Sequence, residues 1–315
     1  GIFQMTLTDK IYIAGHKGLI GSAILRRLKT DGFSNIITRE HSELDLLNQE
    51  QVQQFFIEEK PDHVFFTAGK VGGVYANNTY RAEFIYENLM MQSNVIHQAY
   101  LNETKKLIFF SCSSVYPKMC PQPMKEDYLL TGSLEPTNEP FGIAKIAGMK
   151  MCESYNRQYG SDFISVIPTN VYGINQNFTP MDSQVVPAMI RKFHEAKINN
   201  TPEVVIWGTG RPSRDFIFAD DLADATIFIA KNYSENEPLN IGTGKDYTIQ
   251  ELASTIQEVV GYGGKIVYDT SQPEGVIMKL QNISKLSELG WKHTIELRDG
   301  ISLTYKDFLE KQCLV

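Results

Sequence analysis

The stretch KIYIAGHKGLIGSAIL, residues 10–25, decides the fold. A short apolar strand leads into three glycines, Gly15, Gly18 and Gly21, and then into a helical pattern with Ala23, Ile24, Leu25 and Leu28 apolar. Glycines are needed where the chain turns tightly and its backbone must approach a pyrophosphate. The helix that follows points its unpaired N–H groups and positive dipole end at the phosphates. Three ordinary turn glycines would not need this setting of strand, loop and helix opening a βαβ unit. Gly15, Lys17, Gly18, Leu19, Ile20 and Gly21 are therefore expected to touch a dinucleotide.

Outward from this loop, short apolar runs alternate with amphipathic ones. NIITR (35–39), HVFFTAG (63–69), KLIFFSCSS (106–114) and 161–168 are predicted strands. Helices are predicted over 49–59, where Val52, Phe55 and Phe56 share a face, and over 84–100. This alternation implies a doubly wound parallel Rossmann-type sheet in an α/β fold. After about residue 175, Pro180, Pro187, Pro202 and Pro212 punctuate shorter elements. RDFIFADDLADATIFIA (214–230) is a strand-then-helix unit that returns to the main sheet, followed by LNIGTG (239–244) and a helix over 248–260. The expected organisation is a dinucleotide-binding domain over 1–175, with return segments near 214–245, and a smaller, non-contiguous substrate lobe over 176–315. The ligand site is expected in the crevice between them.

The second strand decides the cofactor. An acidic residue at its end would bind a ribose 2′-OH and mark NAD. Here the strand ends in Thr38-Arg39, and Lys17 lies inside the glycine loop. Two cations suit a 2′-phosphate, so NADP(H) is expected, although Glu40 follows at once and works against them. Further cofactor contacts are expected after the strands, at Asp45 and Leu46, at Ala68, Gly69 and Lys70, and at Pro168, Asn170 and Val171.

The chain has 315 residues, 42% of them hydrophobic, which is enough for a full core. Thirty basic residues against 37 acidic give a net charge of −7, which argues against a nucleic-acid binder. The four cysteines form no C-x-x-C pair, so neither a metal site nor a redox dithiol is expected, and a reducing cytoplasm suits them. No apolar run approaches the length needed to span a bilayer, and no signal-peptide pattern opens the chain, so membrane and secretion are not expected.

AGKVGGVYANNTY (68–80), SVYPKMCPQPMKED (114–127), TGSLEPTNEPFGIAKIAGMKMCESYNRQYG (131–160) and IPTNVYG (167–173) resemble the GDP-L-fucose synthase family of extended short-chain dehydrogenases/reductases. VVIWGTG, RDFIFADD and LNIGTG share the similarity, which covers nearly the whole chain. The resemblance implies an NADPH-dependent homodimer that epimerises C3 and C5 of a GDP-linked 4-keto sugar and then reduces its C4 ketone. It also implies GDP contacts at Val185, Lys192, Trp207, Arg214 and Lys279. An aromatic ring can flank a purine, and cations can neutralise a diphosphate. The plainer alternatives are a core Trp207 at a strand end, Arg214 paired with Asp215 or Asp220, and an ordinary surface Lys192. Asn170, closing a strand, is expected to orient cofactor or sugar.

The departures from the family carry as much weight as the match. The family's proton-donating Tyr, four residues before the motif Lys, is Phe141 here, while Lys145 is kept. The family's epimerisation Cys and His fall on Ser114 and Gln184, and its catalytic Ser on Cys112. A serine hydroxyl cannot replace a thiol in proton abstraction at neutral pH, and a glutamine amide does not titrate. The expectation is a C4 reductase without epimerase activity, its proton coming from Cys112, Ser113, Ser114, Tyr116 or a water near Lys145. The rivals are an NAD-dependent sugar-nucleotide 4-epimerase or dehydratase and a catalytically inactive GDP-sugar or cofactor sensor.

Overall fold

The computed structural model describes residues 4–180 and 183–312. The opening strand β1 (Ile11–Ala14) is buried along its whole length, as a central strand of a parallel sheet must be. It leads into α1 (Leu19–Thr30), β2 (Ile36–Ile37), α2 (Gln49–Glu59) and β3 (His63–Phe66). The Asn48 side chain accepts the Gln51 N–H at 3.0 Å, which fixes the start of α2 at its predicted position. α3 (Val74–Thr79) and α4 (Arg81–Leu101) follow, then β4 (Lys106–Phe110), α5 (Glu139–Tyr159) and β5 (Phe163–Pro168).

The strands are shorter than predicted: β3 ends at Phe66 and β5 begins at Phe163. β2 keeps only Ile36 and Ile37, and Thr38 and Arg39 leave the ladder. β4 stops at Phe110, and Ser113–Val115 form a tight 3₁₀ turn. The polar run after Phe110 has no apolar face to bury in the sheet, so it curls over the sheet's end and presents Cys112, Ser113 and Ser114 there.

The second half builds the lobe and returns to the sheet. β6 (Asn170–Tyr172), α6 (Val185–Ile198), β7 (Glu203–Trp207), β8 (Ser213–Arg214) and β9 (Phe216–Phe218) precede α7 (Ala219–Asn232) and β10 (Leu239–Ile241). β11 (Tyr247–Thr248), α8 (Ile249–Val260), β12 (Lys265–Asp269), β13 (Met278–Lys279), α9 (Ser284–Leu289) and α10 (Leu297–Gln312) complete the chain.

The main sheet has the order β10-β5-β4-β3-β1-β2 with all pairs parallel. Chain direction across the sheet reverses beside β1, and an open α/β sheet binds its ligand at the C-terminal ends of the strands at such a point. One face is packed by Val52, Phe56, Val95, Ile146 and Met149 from α2, α4 and α5. The other is packed by Ile24, Leu28, Leu222, Ile229 and Leu286 from α1, α7 and α9. A third core, including Phe193, Ile206, Ile256 and Phe308, belongs to the lobe. The return of residues 214–230 differs from the expected one. β9 pairs with β6 outside the main sheet, α7 packs against the α1 face, and the strand that rejoins the sheet is β10. Asn170 opens β6 and is register partner to Phe216, so the third strand of the unit is held at the lobe boundary. Among the described residues, no helix is long and apolar enough to cross a membrane.

Candidate active site

The glycine loop fits a dinucleotide. Gly15 has φ +89°, a left-handed backbone that favours glycine. A Cβ on Gly21 would sit 2.0 Å from the Gly15 carbonyl oxygen, so any side chain there would force the turn open. Gly18 caps α1 without a side chain, and its N–H bonds the Gly15 carbonyl at 3.1 Å. Leu19 and Ile20 then start α1, whose free N–H groups face the position of a pyrophosphate. Asn175 braces the loop from the lobe side, donating to the Lys17 carbonyl at 2.7 Å.

The two cations assigned to a 2′-phosphate are both engaged by carboxylates. Lys17 pairs with Glu40, which also receives His16 at 3.5 Å. The lysine holds the Glu40 carboxyl below its ordinary range. Arg39 turns inward, donating to Glu59 at 3.1 Å and to the Thr38 carbonyl at 2.9 Å, with its guanidinium over the Phe55 ring. Of the further cofactor positions, Leu46 is in the core and its carbonyl accepts from Asn94. Asp45 bonds the Leu47 N–H. Ala68, Gly69 and Lys70 follow β3, and the Lys70 N–H is held by Asn88 Oδ1 at 3.0 Å. Pro168 ends β5, and Val171 lies inside β6.

Lys145, on the second turn of α5, is 5% exposed. Its ammonium donates to the Phe110 carbonyl at 3.1 Å and lies over the rings of Phe109 and Phe141, 5.1 and 5.5 Å from their centroids. Burial pushes its pKa down to about 8. A Cβ on Gly69 would stand 3.6 Å from Nζ and 2.9 Å from Asn88 Oδ1, so the glycine after β3 leaves room for the lysine head. Phe141 packs edge-on against Phe84.

The other proton-donor candidates separate. Ser114 Oγ accepts from Asn138 Nδ2 at 3.3 Å. Cys112 and Ser113 flank it, half-buried. Tyr116 is withdrawn from the site: it is 2% exposed and donates to Asn240 Oδ1 at 2.6 Å, and burial raises its pKa. Its expectation as a donor is corrected, because the 3₁₀ turn rotates it into the core. Gln184 is exposed at the cap of α6, with Val185 as the first helical residue.

The residues expected on the substrate side lie on α6, β7, β8 and β13. Trp207 ends β7 at 61% exposure, so it is not a core residue. Lys192 donates to the Val205 carbonyl beside it. Arg214 does not pair with Asp215 or Asp220. It donates to the carbonyls of Ser213 and Val276 at 2.6 and 2.9 Å, while Asp220 takes Arg26. Arg214 and Lys279 are register partners across β8 and β13. Burial lowers the pKa of both, and the Arg214 charge lowers that of Lys279 further. Among the described residues, neither has a carboxylate within ion-pair distance.

Three positioning residues escaped the sequence reading. Asp215, fully buried, accepts the N–H groups of Thr243 and Gly244 at 2.9 and 3.1 Å, and its carbonyl receives Asn170 at 3.0 Å. Asn88 holds the loop after β3. Asn138, whose type and place before a proline-opened helix mark it as a cap, turns its side chain to Ser114 instead.

The model of the NAD dependent epimerase/dehydratase family matches residues 11–242. The Escherichia coli (strain K12) GDP-L-fucose synthase is 50% identical over 96% of this chain and 98% of its own length. A GDP-6-OMe-4-keto-L-xylo-heptose reductase from C. jejuni is 44% identical, covers 98% of this chain and 100% of its own, and has a TM-score of 0.91. A GDP-mannoheptose C4 reductase from Campylobacter jejuni, solved with NADP bound, is 45% identical over 97% and 99% with a TM-score of 0.89. A glycine cradle opening a doubly wound sheet, a buried lysine on α5 and this shared sequence together make the chain a member of the NAD dependent epimerase/dehydratase family, similar in sequence to its GDP-L-fucose synthases.

Proposed function

We propose that the protein is an NADPH-dependent reductase of the C4 ketone of a GDP-linked 4-keto sugar, hexose or heptose, without 3,5-epimerase activity. It would act in the cytoplasm as a homodimer, supplying sugars for a bacterial surface polysaccharide, with a separate enzyme performing any epimerisation. The observation that carries this reading is the buried Lys145 ammonium at the end of β4, beside Gly69, while the preceding residue, Ala68, packs against Gly15 of the glycine cradle. The relatives named for reducing GDP-linked heptoses support the substrate class. Tyr86 on α4 and Ile143 on α5, both exposed, offer a second copy an apolar face to cover.

When bound, NADPH supplies a hydride to C4. The chain's residues would do the rest. Gly15, Gly18 and Gly21 admit the pyrophosphate, and Lys145 holds positive charge where the alkoxide develops. Arg214 and Lys279 take the GDP diphosphate, and Trp207 flanks the base. Ser114 and Gln184 replace the two groups that would move protons at C3 and C5.

The test is a single-turnover mixture of enzyme, NADPH and a panel of GDP-4-keto sugars, followed at the nicotinamide band. Loss of absorbance with at least one sugar is expected. An unchanged signal across the panel overturns the reading in favour of a sensor.

A further inference from the structure

The site holds a positive charge at Lys145 but no tyrosine to release a proton, and the surrounding groups narrow the choice of donor. Phe141 has nothing to donate. Tyr116 is buried and committed to Asn240. Ser114 is held by Asn138, and a serine hydroxyl does not ionise in the neutral range. Ser113, half-buried beside it, and water offer only hydroxyl protons, and a thiol is the stronger acid, which singles out Cys112. It lies two residues beyond Phe110, whose carbonyl anchors Lys145, on extended backbone that leads from β4 into the 3₁₀ turn. It is free and half-buried.

Cys112, at the C-terminal end of β4, is also coupled electrostatically to both parts of the site. A negative charge on its sulfur acts on both Lys145, on the cofactor side, and Lys279, on the anion side. Positive charge on the two lysines would also stabilise the thiolate left after a proton departs.

We propose that Cys112 is the catalytic acid of the reduction, giving its thiol proton to the C4 oxygen in place of the hydroxyl absent at Phe141. The proposal rests on the reductase reading above. The S–H bond breaks and an O–H bond forms at O4 as C4 gains a hydride. The ketone becomes a secondary alcohol, with the dihydronicotinamide oxidised in the same event. The thiolate at Cys112 then regains a proton from solvent before the next turnover. Position 112 thus carries a thiol where the family has a hydroxyl, while position 141 has lost its proton donor.

The experiment compares the parent with Cys112→Ala, Cys112→Ser and the double variant Cys112→Ala/Phe141→Tyr, using NADPH and the sugar that the parent reduces. A positioned acid is worth about 10²–10⁴-fold in rate. Both single variants are expected to lose kcat on that scale while binding NADP⁺, followed by fluorescence titration, as the parent does. The added tyrosine is expected to return at least about tenfold of the loss, which a purely structural role for the cysteine would not allow. Parent-like kcat in Cys112→Ala overturns the proposal and leaves the reductase reading standing. Parent-like kcat in Cys112→Ser alone reduces Cys112 to a hydrogen-bonding group and also overturns it. A parent that oxidises NADPH with no sugar overturns the reading itself, and the proposal with it.

Discussion

The Lys145 ammonium lies 5.5 Å from the centre of the Phe141 ring, a cation over an aromatic face where the family places a proton donor. The ring shields the charge from water and attracts it through its quadrupole, but it has no proton to give. Phe141→Tyr is therefore expected to keep or raise the rate of NADPH oxidation. Lys145→Met removes the charge aimed at the alkoxide and is expected to lower the rate at least about tenfold. Parent-rate turnover in Lys145→Met would make the surviving lysine a relic.

The same lysine carries a stability cost. Burial holds its folded-state pKa down at about 8, below the ordinary lysine value of 10.5. Between those values the folded chain binds fewer protons than the unfolded one, so this group's contribution to stability rises with pH across that window and is least favourable below it. Lys145→Met is expected to melt above the parent at pH 7, with the gap narrowing toward pH 10. Calorimetry at both pH values checks this, and a gap that does not change with pH counts against it.

Cofactor preference should be smaller than two free cations would give. A charge-assisted contact is worth about 1.5–3 kcal/mol, but Lys17 is exposed and must leave Glu40, and Arg39 must leave Glu59. Lys17→Ala is expected to weaken NADP⁺ binding by roughly fivefold, about 1 kcal/mol, with little change for NAD⁺. Glu40→Gln is expected to strengthen NADP⁺ binding and weaken NAD⁺. Titration calorimetry measures both, and tighter NAD⁺ binding by Glu40→Gln would contradict the assignment.

Ser114 and Gln184 predict silence at C3 and C5. In D₂O without NADPH, a GDP-4-keto sugar incubated with the enzyme should keep its protons at both carbons. Deuterium entering either position faster than in an enzyme-free control, read by NMR, defeats the claim.

At the opposite end of the sheet, Lys106 is 2% exposed and bonds Asp162 at 3.3 Å, Ser234 at 3.1 Å and the Tyr233 carbonyl. Asp162→Asn strips the ammonium of its counter-charge, and breaking such a buried pair costs about 3–5 kcal/mol. Urea unfolding should show that loss, while the folded fraction keeps its turnover. A shift under about 1 kcal/mol would mean that water already reaches the pair.

The sheet was legible wherever one local rule decided the outcome. The glycine loop declares itself by spacing, and α2 begins and ends as predicted because Asn48 caps it and Lys60 takes a left-handed turn. The pairing of β9 with β6 was not legible, because FIF suits any buried parallel position and sequence order does not choose the neighbour. Nor were the partners of Lys17 and Arg39. Glu59 lies 20 residues from Arg39 and meets it only after α2 folds back. Trp207 reached its exposed place because a strand-end aromatic can point either way, and periodicity over five residues does not settle which.

β10 has a consequence for how the molecule is made. Its partners on β5, Val166, Ile167 and Pro168, are synthesised long before Leu239, Asn240 and Ile241 arrive to cover them. Until then the nascent chain presents an open, apolar strand edge that any second chain can extend. A polypeptide stopped at residue 175 would keep the glycine loop, most of the sheet and that raw edge, and is expected to aggregate rather than act as a free-standing cofactor-binding unit. The two halves are one object in assembly as well as in catalysis, and gene fusions or splits placed between 175 and 239 break the sheet, not a linker.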